Sequence, residues 1–558
     1  MRLILLRLAL LGILWSGGAC QAAPPEEPTA TPRPPATRIP SPTIPPTPTK
    51  PIPQKGGDLR EIVSQDAINF HPYLTTDSTS RLFQERVYAG GLWLRDPKTL
   101  EPMPGLAEAW SIASDGKTYM FTLRKNLKWS DGAPLTANDF VWTFEQASKP
   151  ENKYPYADSL DGIALYRAKD DYTLEVGLHE ASCLGLTLAD AITPLPKHIW
   201  SKLAWGDPAK NPEILQPTVV SGAYKLREWV RGNYAAFVRN DAYYRGTAYL
   251  DSITTRIVAD PTIQFGLLKA GEVDVAPVSA SDYAEASKVA VLKAYTWEPA
   301  APEWDFIGLN LRRPFLKNAL VRQALAYAIP RDQIADKAFA GLAKPLYSMF
   351  PTTASVFDPD APRYAYNLAT AKEMLQKAGY KFDANGKAVD KDNKPAPKLK
   401  ILYNAGNRPR EQIAKIAQEE LRKLGLDSEA TALDYAAYLA ALRKEPFDFD
   451  LFILGWRAPL EPYLTYQLWS EANIPLLNPG AYVNPEVEKL YAQANRPPCD
   501  LASRKTVFGQ IQKIVATDAP YIFLTARAGY AFVNKRVIPN EPTPLGIGYA
   551  PEQWFIVK

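Results

Sequence analysis

Between Asp115 and Glu145 the chain reads DGKTYMFTLRKNLKWSDGAPLTANDFVWTFE, and the period of its apolar positions changes midway. Tyr119, Phe121 and Leu123 alternate with polar residues, the spacing of a strand buried on one face. Asp131-Gly132 is a tight-turn pair. Thr136 followed by Asp139 predicts a capped helix start, and Phe140, Val141 and Phe144 supply that helix's apolar side. Further on, Val321 to Ala328 and Ala369 to Ala378 have helical spacing, and Gly379 sits where a left-handed cap is expected. Glu411 to Leu424 repeats the pattern, with Ile413, Ile416, Ala417, Leu421 and Leu424 on one side and Gly425 at the end. Leu399 to Tyr403 reads as a strand. Leu451 to Leu454 is a continuous apolar run, which suits a strand covered on both faces. Strand, helix and strand at this spacing predict an α/β lobe with some parallel pairing. There is no fixed-period repeat.

Residues 1–54 follow other rules. Met1 to Cys20 reads MRLILLRLALLGILWSGGAC: Arg2, an apolar run interrupted by Arg7, then small residues up to a cysteine. This is a secretory signal pattern, too short to be a spanning helix. Gly18-Ala19-Cys20 resembles a lipoprotein processing site, although Gly17 stands where an aliphatic residue is usual. Residues 1–20 are therefore expected to be a lipoprotein signal peptide with Cys20 acylated; ordinary signal cleavage is the alternative. Residues 21–54 are dominated by Pro and Thr and favour extended polyproline II. At ~3.1 Å per residue they form a semi-rigid linker reaching roughly 100 Å. Ordered sequence begins near Lys55-Gly56-Gly57-Asp58.

Charge removes one class of partner. The net charge is +4 over 558 residues. Arg2, Arg7, Arg33, Arg38 and Lys50 against Glu26 and Glu27 put most of that excess before residue 55, so the body is nearly neutral. It carries no electrostatic footprint for nucleic acid. The 29 tyrosines and 13 tryptophans suit ligand clefts as well as cores.

Catalytic and metal signatures are missing too. His71, His179 and His198 are isolated, with no His-x-x-x-His or Cys-x-x-Cys partner, so a zinc site has little support. There is no Gly-x-Ser-x-Gly, no P-loop and no complete dinucleotide fingerprint; Gly546-Ile547-Gly548 lacks its third glycine and no helix follows. Asp448 and Asp450 flank a strand, where charges usually face solvent. The expectation is a binding protein without enzymatic activity, cofactor or metal.

Ordered landmarks then assemble into a resemblance. Leu106-Ala107-Glu108-Ala109-Trp110 and the Asp115–Glu145 stretch resemble the signature block of the family 5 (peptide/nickel/oligosaccharide) extracellular solute-binding proteins of ABC transporters. Ser221-Gly222-Ala223-Tyr224, Gly271-Glu272-Val273-Asp274, Val321-Arg322-Gln323-Ala324-Leu325, Ala378-Gly379-Tyr380, Gly455-Trp456 and Asp518-Ala519-Pro520-Tyr521 follow in the family's order. Each match is short; their number and order carry the resemblance, which covers the chain from Lys55 to Lys558.

The resemblance implies an α/β, two-lobed periplasmic-binding-protein clamshell of three domains (class II, cluster C type), with mixed sheets and flanking helices. Domain I would comprise 55–89, 197–299 and 525–558, domain II would be an insertion at 90–196, and domain III would be 300–524. Ligand would sit between the lobes, and closure would present it to a membrane permease served by an ATPase. The protein would be an extracytoplasmic monomer, held to the membrane by its N-terminal lipid.

Ligand contacts follow from the same resemblance. The strand ending in Gly455-Trp456 resembles the family's cleft-lining strand, which brings in Gly455, Trp456, Arg457 and Ala458. In peptide-binding members an Asp three residues past the Trp pairs with the ligand amine; here that residue is Pro459, and Glu461 is the nearest acid. Ile453 stands where some oligopeptide binders carry a basic contact. Arg457 could meet a ligand carboxylate or lie in solvent. Trp456 could stack on ligand or pack between elements. Tyr156 matches a tyrosine reaching the ligand backbone, and Thr76 lies in a cleft-edge loop. Two ligand classes stay open: a peptide or similar charged solute using Glu461 and Arg457, or an oligosaccharide on Trp456, Tyr156 and Tyr463. A secreted hydrolase or an adhesion protein is the reading from another class. His198, in Pro196-Lys197-His198-Ile199, matches a recurrent structural segment. Cys183 and Cys499 fall on different lobes of this domain map, so they are expected to be separate thiols.

Overall fold

The structure is a computed structural model that describes residues 51–557. The signal peptide, Cys20 and the linker as far as residue 50 lie outside the described residues.

Two large cores organise the described residues, and a smaller cluster forms around Phe265, Leu268 and Phe532. One cluster of buried side chains draws on residues 59–253 with a few from 295 and 533–554, and includes Phe70, Phe121, Val176, Phe237 and Ile253. It is served by two sheets. In the first, Asp58–Val63 pairs in parallel with Ser252–Ile257, followed by Tyr234–Arg239 and Tyr224–Val230, both antiparallel. The second is antiparallel throughout, in the order Ala107–Ile112, Thr118–Leu123, Thr173–Leu178 and Ile163–Asp170. The expected alternation holds there: Tyr119, Phe121 and Leu123 are buried.

The helix after that strand spans Ala137–Ala147 with Thr136 at its N-cap. Asp139 accepts the Thr136 N–H at 2.9 Å and the Lys197 N–H at 3.0 Å, so one capping carboxylate also pins a distant loop. Such a bond satisfies a donor that the first helical turn leaves orphaned.

The other core lies on the two faces of a six-stranded mixed sheet. Its order is Ala343–Pro345, Tyr521–Arg527, Glu303–Leu309, Leu451–Arg457, Leu399–Asn404 and Ser428–Leu433. Period-two alternation sorts the side chains. Ile307, Leu309, Leu451, Ile453, Ile522 and Leu524 pack on one face, and Trp304, Phe306, Phe452, Leu454, Tyr521 and Phe523 on the other. Both faces are covered, which is why Leu451–Leu454 reads as an unbroken apolar run. Leu399–Asn404 pairs in parallel with Leu451–Arg457 and with Ser428–Leu433, the crossover helix being Arg408–Lys423. The strand Ser428–Leu433 was not anticipated: at the sheet edge it is never fully buried, so its sequence SEATAL carries no apolar alternation.

Landmark motifs do structural work. A Cβ at Gly222 would lie 2.2 Å from the Arg86 carbonyl oxygen, so the backbones touch there. Arg322 is buried and donates to the Leu316, Lys317 and Asp518 carbonyls, closing the ends of two helices. Asp274 takes Arg60 and Arg536, which ties the end of the chain to its first strand.

The backbone passes between the two cores at two places. Residues 298–302 join Leu292–Trp297 to Glu303–Leu309, and Ala528 joins Tyr521–Arg527 to Gly529–Asn534. The four strands pair as neighbours on either side, so the crossings run side by side. A third connection corrects the expectation of free thiols: Cys183 and Cys499 form a disulfide, with Cα atoms 5.2 Å apart. Placing them on different lobes did not separate them, because the segments that carry them meet edge to edge. Cys183 N–H donates to Asn495 O, and Ser182 Oγ to Asn495 Oδ1.

Candidate functional site

Three cavities surround the crossings. The one of about 570 Å³ is lined by Trp93, Arg95, Glu101, Cys183 and Leu186 from one core, and by Phe350, Ala458, Glu461, Cys499 and Arg504 from the other. A second, of about 700 Å³, has Trp297, Glu303, Arg457, Arg527 and Tyr530 in its walls. A third, of about 350 Å³, lies against Glu298, Lys344, Thr353 and Arg527. Leu460 and Pro544 are common to the first two, and Trp297, Pro299 and Arg527 to the second and third. They are compartments of one cleft between two bodies, the usual place for a ligand.

Charge is concentrated at one end of three adjacent inner strands of the six-stranded sheet. Glu303 and Asp305 are two residues apart on a strand and project from the same face. Arg457 stands opposite Glu303 in the neighbouring strand, and Gly455 opposite Asp305. The absent side chain at Gly455 makes the room: a Cβ there would lie 2.9 Å from Asp305 Oδ1 and 3.0 Å from Trp304 O. Arg527, from the strand on the other side, donates Nε to Asp305 Oδ2 and Nη2 to Asp305 Oδ1, both at 3.0 Å, and Nη1 to Glu303 at 2.8 Å. Arg457 lies 3.9 Å from Glu303 and is largely exposed. Burial raises the Asp305 carboxyl above the usual carboxylate range, while Arg527 and Arg410 oppose it. One carboxylate, Glu303, and two guanidiniums thus share the wall, with Asp305 buried beneath Arg527 and Arg457 free to turn.

The other wall is paired differently. Glu461 caps the short helix Pro462–Leu468 by accepting the Tyr463 N–H at 3.1 Å, and forms an ion pair with Arg504, both side chains mostly buried. Across the cavity, burial lowers the pKa of Arg95, with Glu461 and Glu101 opposing.

The expected ligand residues separate into two groups. Arg457, Ala458 and Glu461 line the cleft, and Gly455 lies beside its buried acid. Trp456 lies across from Trp304, half-buried on the face of Phe452 and Leu454, with an indole N–H that has no partner. It lines none of the three cavities. Tyr156 and Thr76 are exposed and line none of them either; Tyr156 meets Tyr154 edge-on at 6.0 Å. Tyr463 packs against the lobe core, beside Tyr466.

Sequence reasoning missed Glu303, Asp305 and Arg527. Two acids alternating into the buried strand EWDFIGL are a signal in retrospect, since a carboxylate in a two-sided strand demands a cation. His198 lies 2.8 Å from Asp131 Oδ2, which fastens the turn at Asp131-Gly132. Among the described residues, no group of three or more His, Cys, Asp or Glu is placed to hold a metal. No helix among them is long and apolar enough to cross a membrane.

Known proteins share this fold. The family profile described as bacterial extracellular solute-binding proteins, family 5 middle, matches residues 101–475. The oligopeptide-binding protein AppA of Bacillus subtilis is 28% identical over 519 residues, covering 91% of this chain and 93% of that one. The glutathione-binding protein GsiB of Escherichia coli is 26% identical, covering 88% and 92%. The solved structure of Bacillus subtilis AppA with a nonapeptide superposes with a TM-score of 0.70 at 29% identity, over 91% of this chain and 100% of that one.

Proposed function

The chain belongs to family 5 of the bacterial extracellular solute-binding proteins, and from that premise we propose that it captures a peptide in its cleft for an ABC importer. The fold is the two-lobed clamshell of that class, and its relatives are transport binding proteins, not enzymes. A permease and its ATPase would be the partners, and the permease would read the closed form. We assign the bodies as domain I (55–89, 197–299, 525–558), domain II (90–196) and domain III (300–524). A monomer held to the membrane by acylated Cys20 completes the reading.

The observation that carries a peptide over a sugar is the balanced charge of the cleft wall. Glu303, Arg457 and Arg527 offer both signs within one cavity, as a solute with an ammonium and a carboxylate requires. The aromatics that a sugar would stack on, Trp456, Tyr156 and Tyr463, line none of the three cavities. Arg457, the least engaged of the cations, receives the carboxylate. Glu303 faces the ammonium, because it shares Arg527 with Asp305 and is about half exposed, whereas Glu461 is mostly buried in its own pair with Arg504. Ala458 and Gly455 keep the wall low for a ligand main chain, whereas Trp456, Tyr156 and Thr76 stand outside the three cavities.

Native mass spectrometry of the chain purified without denaturation tests this. Retained masses spaced by amino-acid residues are expected. A hexose spacing, or no uptake from a mixed peptide pool, overturns the peptide reading.

A further inference from the structure

We propose that the Cys183–Cys499 bridge is a covalent latch that limits how far the two lobes part, so that solute exchange runs through a restricted opening. Among the described residues the backbone joins the lobes only at 298–302 and at Ala528, between strands that are sheet neighbours on each side. Neighbouring strands lie ~4.8 Å apart, so the two crossings define one axis and offer little resistance to rotation about it. Hinges of this kind let domains open widely around a ligand.

The bridge adds a third tie away from that axis. Cys183 follows the strand Thr173–Leu178, which belongs to the antiparallel sheet of 107–178 and not to the one continuous with the hinge strands. Cys499 immediately precedes Asp500, the N-cap of helix Leu501–Asp518. Both cysteines line the cavity of about 570 Å³, so the tie is part of the cleft wall. Their Cα atoms, 5.2 Å apart, cannot separate beyond about 7 Å while the bond is intact. Rotation about the crossings that carried these segments apart would have to break the bond or unfold one of them. An extracytoplasmic protein works where such a bond persists. The latch rests on the two-lobed fold and not on the identity of the solute, so its failure leaves the peptide reading untouched.

Hydrogen exchange on the full chain, without added solute, tests the latch. The comparison is between the wild type, Cys183→Ser/Cys499→Ser, and the wild type treated with a dithiol. The dithiol gives two electrons and two protons to the bridge and leaves as a cyclic disulfide, so two protein thiols replace the S–S bond. Freed lobes should exchange about fivefold faster or more, the low end of conformational couplings, at cleft segments 93–95 and 349–355 and at the crossing 298–302. Strand Glu303–Leu309 should be unchanged. Faster exchange confined to 180–186 and 495–501 would reduce the bridge to a local staple and overturn the latch. So would two free thiols at these positions in the untreated wild type. Should the double variant fail to melt cooperatively, the dithiol-treated wild type gives the same readout.

Discussion

Arg527 holds Asp305 through two parallel hydrogen bonds, Nε to Oδ2 and Nη2 to Oδ1, each 3.0 Å long. The carboxylate is fully buried and the guanidinium is partly open to the cleft. The pair therefore joins the interior of one lobe to the surface where a solute would lie. Bidentate geometry fixes the plane of the guanidinium at small entropic cost. The remaining donor edge is thereby aimed at Glu303, beside the last residue of the crossing.

Asp305→Asn should be strongly destabilising. It removes one member of a buried ion pair and leaves Arg527 facing an amide, a loss of roughly 3 kcal/mol. Denaturant unfolding should show a lower midpoint with an unchanged slope. A midpoint within error of the wild type would mean that Arg527 gains nothing from the acid beneath it.

Gly455→Ala probes the same pair from the neighbouring strand. Its Cβ would approach Asp305 Oδ1 to 2.9 Å, and overpacking of this kind costs about 1–3 kcal/mol. The cost should shrink in an Asp305→Ala background, since the clash is with the carboxylate. Additive losses in that double-mutant cycle would place the strain on the Trp304 carbonyl instead.

The fate of these positions shows what a sequence gives away. Tyr119, Phe121 and Leu123, the cap at Thr136 and the helices ending at Gly379 and Gly425 were legible because period and capping are local. The parallel pairing of Leu399–Asn404 with Leu451–Arg457 was legible because a helix separates the strands. Gly455 and Arg457 came from the family resemblance, but their partners did not. Glu303 and Arg527 are over two hundred positions apart and meet only because their strands are sheet neighbours. Cys183 and Cys499 are likewise over three hundred positions apart, and they meet because two loops touch. Lobe assignment argued against their bond, whereas the contact between the segments that carry them decided for it.

Arg457→Ala should weaken binding of a peptide taken up in the native mass experiment, by about tenfold or more, since a hydrogen bond to a charged group is worth ~1.5–3 kcal/mol. Glu461→Gln should leave that affinity within about twofold and lower stability by ~2 kcal/mol, through loss of the Arg504 pair. Calorimetric titration beside denaturant unfolding separates the two effects. The reverse pattern would move the amine contact from Glu303 to Glu461.

Cys20→Ala should release the protein from membranes. A single acyl chain gives only marginal binding and a processed lipoprotein carries more than one, so the variant should fractionate with soluble protein. Unchanged partitioning would refute the lipid anchor.

Acid should destabilise the protein partly through His71. Its imidazole is enclosed by Trp200 and Trp205, at ring-centroid distances of 4.9 and 4.5 Å. Nδ1 accepts the Tyr73 N–H at 3.1 Å, which requires that nitrogen to be unprotonated. Burial lowers the pKa to about 3, a backbone contact at Trp205 opposing, whereas an unfolded chain titrates near 6.5. Between those values the unfolded state binds the extra proton, so stability falls as the pH drops below about 6.5 and the loss is complete near 3. From pH 7 to pH 4.5 this one group should remove roughly 3 kcal/mol. His71→Asn keeps an acceptor for the Tyr73 N–H and has nothing to titrate. The variant should be less stable at neutral pH yet lose less on acidification. Unfolding free energies measured along the pH series should therefore converge for the two proteins, and parallel curves would show that His71 carries none of the acid sensitivity.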